Sequence, residues 1–384
     1  MSEFSPVSSK ELFRAQILHA GKSNTPLSIQ GGGTKSWYGN PNSFATLDTR
    51  QYSGVLDYQP DELVITACAG TPLNDVESVL AEKNQILAFE PPHFGDAATF
   101  GGAIAAGLTG PGRISVGSLR DFVLGARIMD GKGRDLSFGG KVMKNVAGYD
   151  VSRLLPGSLG TLALLLEASV KVLPKPAAIA TIRCQITQSL ALRLLNNWAG
   201  QPLPLSASCW LGPANPEQEG QLTIRLSGAV AAVNSAKNLI SSSVNAHELE
   251  PNDAKKFWIN LREQHLDTFT SLRAEETLYR FALPVNCKPI WLNNMAEEIV
   301  LEWHGQQRWW KGPSDEGTFT AIKEIASANG GHAMRFRQGS TVNPSYQRFT
   351  LLSEQPHSKA LEAVQSRLRE AFDPAGVFAT GRLP

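Results

Sequence analysis

The sequence has 384 residues, 42% of them hydrophobic, with 36 Lys and Arg against 35 Asp and Glu for a formal charge of +1. That length supports two or three domains with sizeable cores and excludes a disordered chain. The charge balance offers no electrostatic footprint for nucleic acid or for a polybasic membrane anchor.

In chain order, Ser8 and Glu11 have capping-box spacing ahead of an amphipathic helix whose apolar face is Leu12, Phe13, Ile17 and Leu18, with Gly21 as its C-terminal cap. Pro26 to Gln30 reads as a short strand ending in glycines, and Asp61 to Cys68 as another. Thr71-Pro72 opens a helix carrying Val76, Val79 and Leu80, where the missing N–H of proline costs least. From Phe122, VLGARIMDGKGRDLSF reads as two strands around the turn Asp130-Gly131-Lys132-Gly133. Leu162 to Leu173 is an apolar, β-branched strand halted by Pro174-Lys175-Pro176, which sets a domain boundary and gives domains 1–175 and 176–384. Beyond it, strands at Ala180 to Ile186, Gln221 to Leu226 and Tyr279 to Leu283 alternate with helices near 232–242, 252–266 and 358–371, an α+β order of ferredoxin-like type.

Cys68, Cys184, Cys209 and Cys287 lie far apart without CxxC or close Cys/His spacing, so free buried thiols are expected and no metal site. The opening MSEFSPVSSKELFRAQ lacks a cationic run before an apolar core, and no stretch approaches the ~18 apolar residues of a membrane span. The expectation is a cytoplasmic protein without direct membrane insertion, peripheral to the inner membrane only through partners.

Three glycine-rich blocks carry the chemistry. Gln30-Gly31-Gly32-Gly33-Thr34-Lys35 follows a strand, so its backbone N–H groups can converge on an anionic oxygen, with a hydroxyl and a charge beside them; a plain turn is the alternative. Pro91-Pro92 and Thr99-Phe100-Gly101-Gly102-Ala103-Ile104-Ala105-Ala106-Gly107 are small enough for backbone to lie flat on a planar ligand, or to pack as a small-residue helix without one. Gly110-Pro111-Gly112, Gly117-Ser118 and Asp121 continue that block, and Asn145 to Asp150 with Leu155 to Leu162 form a third. Gly21-Lys22-Ser23 is not a P-loop, because Gln16 stands where its first glycine belongs, and the spacing around Gly31 and Gly33 misses the third glycine of a dinucleotide fingerprint.

In order and spacing these blocks resemble the FAD-binding domain of the vanillyl-alcohol oxidase (VAO) type, also called the PCMH type. Within it they resemble the D-2-hydroxyacid dehydrogenase branch, on the side of the FAD-binding subunits of glycolate oxidase. Residues 144–172, KNVAGYDVSRLLPGSLGTLALLLEASVKV, and the ending FDPAGVFATGRLP carry the strongest likeness. The resemblance implies a PCMH-type domain of two α+β subdomains followed by a ferredoxin-like α+β cap, whose final segment returns to the flavin. It places Gln30, Gly31, Gly32, Gly33, Thr34 and Lys35 around the FAD diphosphate, and Pro91, Thr99, Gly101, Gly102, Gly107 and Ser118 along the adenosine and diphosphate. Gly157, Gly160 and Thr161 come close to the cofactor, and Gly381 and Arg382 near the isoalloxazine. Thr34, Lys35, Ser36 and Trp37 stand where covalent relatives place His or Cys, which implies non-covalent FAD; Ala379 replaces the family Asn.

Catalytic relatives carry a Gly-Asp-Gly-Asn-x-His metal segment. Here Asn329-Gly330-Gly331-His332-Ala333-Met334-Arg335-Phe336-Arg337 has one His and no acid beside it, leaving His332 and Arg335 as catalytic candidates or as structural residues. The Trp303-His304 to Trp309-Trp310 cluster fits either a protein interface or a core beneath a sheet. Three readings follow: an electron-transfer or structural FAD subunit of a complex that oxidises glycolate to glyoxylate, partnered by a catalytic flavoprotein subunit and an iron–sulfur subunit; a self-sufficient dehydrogenase of glycolate or D-lactate, with Arg335, Arg337 or Lys144 holding the carboxylate of the small 2-hydroxy acid; or an FAD-free scaffold.

Overall fold

The structure is a computed structural model that describes residues 6–140, 150–290, 297–343, 346, 348–349 and 358–383. The chain divides into two compact units: Met1–Thr109, Ser118–Lys175 and Leu351–Pro384 make the first, Gly110–Gly117 and Pro176–Thr350 the second.

In the first unit, α1 (Pro6–Ser23) buries Phe13, Ile17 and Ala20 beside Leu47, Tyr52 and Phe378. Leu12 and Leu18, expected on that face, point outward, because a step of one residue turns about 100° around the helix. The helix runs from before Ser8 and past Gly21; Asn24, at φ 51°, takes the left-handed position expected of that glycine. Strands β1 (Leu27–Gln30) and β2 (Ala45–Asp48) pair in parallel.

β3 (Val55–Gln59) and β4 (Val64–Cys68) lead into α2 (Leu73–Ala81), the short β5 (Gln85–Ile86) and α3 (Phe100–Ala106). The four-residue α4 (Arg113–Val116) belongs to the second unit, and α5 (Leu119–Phe122), β6 (Val123–Met129), β7 (Asp135–Gly139), β8 (Leu164–Lys171) and β9 (Leu173–Pro174) resume the first. An antiparallel sheet has the order β3-β4-β8-β6-β7. The turn between β6 and β7 forms where the sequence predicts it: the buried Asp130 carboxylate accepts the N–H groups of Lys132 and Arg134, and Gly133 takes φ 71°.

The second unit contains β10 (Ala178–Thr187), α6 (Gln188–Ala199), β11 (Leu205–Pro213), β12 (Glu219–Gly228), α7 (Val230–Ser243) and β13 (His247–Glu248). This is a βαββαβ unit with ferredoxin-like strand order β13-β10-β12-β11. After α8 (Pro251–Arg262) and α9 (Asp267–Thr270), strands β14 (Glu276–Ala282), β15 (Glu298–Glu302), β16 (Gln307–Pro313) and β17 (His332–Gln338), with α10 (Glu316–Ala328) before the last, repeat that neighbour order in mirror image. Pairing of β11 with β15 joins the halves into one eight-stranded sheet. Trp210, Trp310 and Tyr279 fill one side of it, and Trp309 packs on Phe269 and Phe336 on the other, so Trp309 and Trp310 of the aromatic cluster are core.

The last helix, α11 (Ser358–Phe372), returns to the first unit. The tail after it is fixed there by Gly131 N–H donating to the Phe372 carbonyl (2.9 Å) and Leu27 N–H to Val377 (2.7 Å), while the Asp373 carboxylate accepts the N–H groups of Val377 and Phe378. All four cysteines are free and buried.

Candidate functional site

A cleft opens in the first unit. One wall is the loop that leaves β1, Gln30 to Ser36; another is α3 with Thr99, Gly101, Gly102, Ala105 and Ala106; a third runs from Leu155 through Ser158, Leu159 and Gly160; and Arg382 completes the lining.

Close approach explains the small residues. A Cβ on Gly32 would fall inside the Ala97 carbonyl, one on Gly31 would strike the Thr99 hydroxyl, and one on Gly101 would lie 2.5 Å from the Ala69 Cβ. Thr99 N-caps α3 by accepting the Gly102 N–H (3.2 Å), which points the helix N-terminus at the β1 loop. At the other end, Gly107 (φ 65°) lies so close to Gly157 that any side chain would collide. The loop from 155 to 161 is then hung on α3 by Gly157 N–H to Ile104 O (3.2 Å) and Leu159 N–H to Ala105 O (2.9 Å). Among the described residues the N–H groups of Gly31, Gly32 and Gly33 donate to no other part of the chain, leaving three donors on the wall.

The polar side chains beside this cradle are largely committed. The Thr34 hydroxyl donates to the His93 carbonyl (2.7 Å), which also accepts Lys35 Nζ (3.0 Å), and Lys35 sits over the Phe94 ring. Thr34 thus ties two loops together rather than presenting the hydroxyl that the sequence suggested for an anion. Arg382 Nη2 donates to the carbonyls of Lys35 (3.3 Å), Ser36 (3.3 Å) and Tyr38 (2.5 Å), while its Nε is buried without a partner and burial pushes its pKa down.

Of the residues expected at the cofactor, Gln30, Gly31, Gly32, Gly33, Thr34, Lys35, Thr99, Gly101, Gly102, Gly160 and Arg382 line this one cleft. Pro91, Gly107, Gly157, Thr161 and Gly381 support it from behind: Gly107 and Gly157 as described, Thr161 by bonding Ser158 O (2.8 Å), Gly381 by accepting Asn40 Nδ2 (3.1 Å), and Pro91 as a buried residue two before His93. Ser118 instead shares a capping box with Asp121 at the start of α5. Asn145 to Tyr149 and Lys144 lie outside the described residues. Sequence reading missed Thr49 and Ala69 on the walls; a Thr after a strand and an Ala opposite a glycine have no signature of their own.

His332 and Arg335 are not brought together. Three residues apart on β17, they fall on opposite faces of the sheet; His332 is exposed, whereas Arg335 is fully buried over the Phe319 ring, paired with Glu316 (3.1 Å) and donating to Ser314 O (3.3 Å). Among the described residues no group of three His, Cys, Asp or Glu is placed to hold a metal ion. No helix among them is long and apolar enough to cross a membrane.

The model of the FAD binding domain matches residues 6–139. A glycolate oxidase subunit GlcE of Escherichia coli (strain K12) is 40% identical over 368 residues, 96% of this chain and 95% of that protein. A D-lactate dehydrogenase of Archaeoglobus fulgidus is 31% identical over 170 residues, 44% of this chain and 38% of its own length. A solved alkyldihydroxyacetonephosphate synthase superposes with a TM-score of 0.65 over 95% of this chain and 74% of that one; at 14% identity the likeness is one of fold.

Proposed function

The chain belongs to the GlcE family of glycolate oxidase subunits, FAD-binding proteins of the VAO/PCMH type, and from that premise we propose that it serves as the FAD-bearing, electron-transferring or structural subunit of a complex that oxidises glycolate to glyoxylate. Its partners in this reading are a catalytic flavoprotein subunit and an iron–sulfur subunit, and its place is at the cytoplasmic side of the membrane through them. The first unit is its FAD domain and the second its cap.

One observation carries the reading. The described walls of the cleft combine a glycine cradle with two cations, Lys35 and Arg382, and present no His, Cys, Tyr, Asp or Glu. A cradle of that chemistry fits a planar, doubly phosphorylated ligand: the Gly31 to Gly33 amides favour a diphosphate, and there is no room for a Cβ where Gly31 and Gly32 stand. The absence of a nucleophile from those walls supports non-covalent FAD, and the absence of a carboxylate or imidazole leaves no base there to take a hydroxyl proton. When bound, FAD would supply acceptance of a hydride and its release as single electrons. The protein's own part is to hold it: Gly31, Gly32 and Gly33 donate, Lys35 neutralises, and Arg382 fixes the loop from Lys35 to Tyr38.

The test is the visible spectrum of the purified chain, before and after anaerobic glycolate, alone and with the two partner subunits. Flavin that stays oxidised until partners arrive is expected. Bleaching by glycolate alone would overturn the accessory role in favour of a self-sufficient dehydrogenase, and a colourless chain in favour of the FAD-free scaffold.

A further inference from the structure

Helix α11 has a helical repeat written for a partner. Its 15 residues, SKALEAVQSRLREAF, place Leu361, Val364, Leu368 and Ala371 at alternating spacings of three and four, the a and d positions of two heptads. In a helix that packs on its own unit this stripe would be buried. Here Phe372, against Phe138 (6.2 Å), anchors the C-terminal end, Leu368 is half-buried, and the rest of the stripe opens to solvent, with Leu361 43% and Val364 61% exposed. Two large aliphatic side chains left bare one turn apart form a continuous seam rather than scattered surface residues.

We propose that this seam docks an amphipathic helix presented by another subunit of the complex, with an acidic residue beside its own apolar stripe; the proposal rests on the reading of the chain as a subunit. Charge argues for a different protein over a second copy. A 15-residue helix is about 22 Å long and about 10 Å across, and so offers roughly 220 Å². A stable interface buries about 800 Å² on each side, so the seam is one part of a larger contact. The positions that flank the seam are Ala360, Gln365, Arg367 and Phe372, and Arg367, exposed, is the charged one. An acidic flank complements it; a second copy of α11 offers only Arg367 again.

The test is co-purification of the full chain with the coexpressed catalytic and iron–sulfur subunits, comparing wild type, Leu361→Glu/Val364→Glu and Arg367→Glu. The double variant is expected to lose at least tenfold in affinity for the partners and Arg367→Glu several-fold, while flavin content and the Tm of the isolated chain stay as in wild type. Undiminished capture by the double variant would sink the seam and leave the subunit reading intact. A wild-type chain that captures neither partner would sink both. An isolated wild-type dimer that the double variant converts to monomer would assign the seam to a second copy, and a Tm lowered by several degrees would assign it to packing within the chain; either overturns the proposal.

Discussion

Glycines do opposite work in the two units. In the first, Gly32 and Gly101 let backbone approach backbone, Gly31 lets it approach the Thr99 side chain, and the Gly31 and Gly32 N–H groups line the cleft beside them. In the second, Gly212, Gly220 and Gly312 lie under tryptophan rings: a Cβ on Gly212 would come within 2.8 Å of the Trp210 ring, one on Gly220 within 2.5 Å of it, and one on Gly312 within 2.4 Å of the Trp310 ring. The missing side chain makes room for a ligand in one place and for an indole in the other. Glycine content therefore marks close approach and does not say what approaches; only the neighbour decides.

The sharpest way to break this comparison is Gly32→Val. With its Cβ inside the Ala97 carbonyl, the cradle must open, and FAD affinity should fall at least 100-fold, read from the flavin-to-protein absorbance ratio after dialysis. Retention of stoichiometric flavin would mean that the cleft is not the cofactor site.

The next largest effect belongs to the second unit and to pH. His304 is buried at a corner where Trp303 (φ 52°), His304 (φ 56°) and Gly305 (φ 90°) are all left-handed, its N–H donates to Ser208 Oγ (3.0 Å), and its Nε2 makes no hydrogen bond among the described residues. Burial lowers its pKa from 6.5 to about 4. The unfolded chain therefore takes up a proton before the folded one does, so stability falls as pH drops from 6.5 towards 4, by up to roughly 3 kcal/mol. Urea melts at pH 4.5 and 7 should show this loss, and His304→Gln should remove most of it; an unchanged pH dependence in the variant would refute the assignment.

Gly312→Ala comes third, a loss of about 1–3 kcal/mol from overpacking against Trp310, seen as a lower Tm with unchanged FAD affinity in the folded protein. A variant that folds but loses flavin would blur the division of labour between the units. The smallest effect is at the edge of the cleft: Arg382→Ala removes three hydrogen bonds to the Lys35, Ser36 and Tyr38 carbonyls and should weaken FAD about tenfold by fluorescence titration. Arg382→Lys should recover part of that loss, because one nitrogen, Nη2, reaches all three carbonyls and an ammonium carries three N–H donors, though on a shorter stem.

Much of the first unit was legible because its signals are local. The β6–β7 turn was read from Asp130-Gly131-Lys132-Gly133, the stop after β8 from two prolines, and the β1 loop from its glycine run; each is fixed by φ or by a missing N–H within a few residues. The second unit was legible only in part. Strands β11, β15, β16 and β17 went unread, since GQQRWWKGP has neither clean alternation nor length, and its pairing partners stand up to 37 residues away along the chain, as Tyr279 does from Trp310 at 31. His332 and Arg335 looked like a pair in the sequence, and the strand separated them to opposite faces.

Composition, turn chemistry and the order of the glycine blocks determined the class of the protein and the loops that build its cleft, because backbone conformation near glycine and proline is a property of a few adjacent residues. What tertiary structure alone decided is occupancy: that Thr34 is spent on the His93 carbonyl, that Arg382 comes back from the far end of the chain to clamp the Lys35 loop, that Trp309 and Trp310 fill a core, and that the seam of α11 is left bare. Those outcomes depend on which distant surface arrives first at each side chain, and a contact between residues hundreds of positions apart leaves no trace in the text around either one.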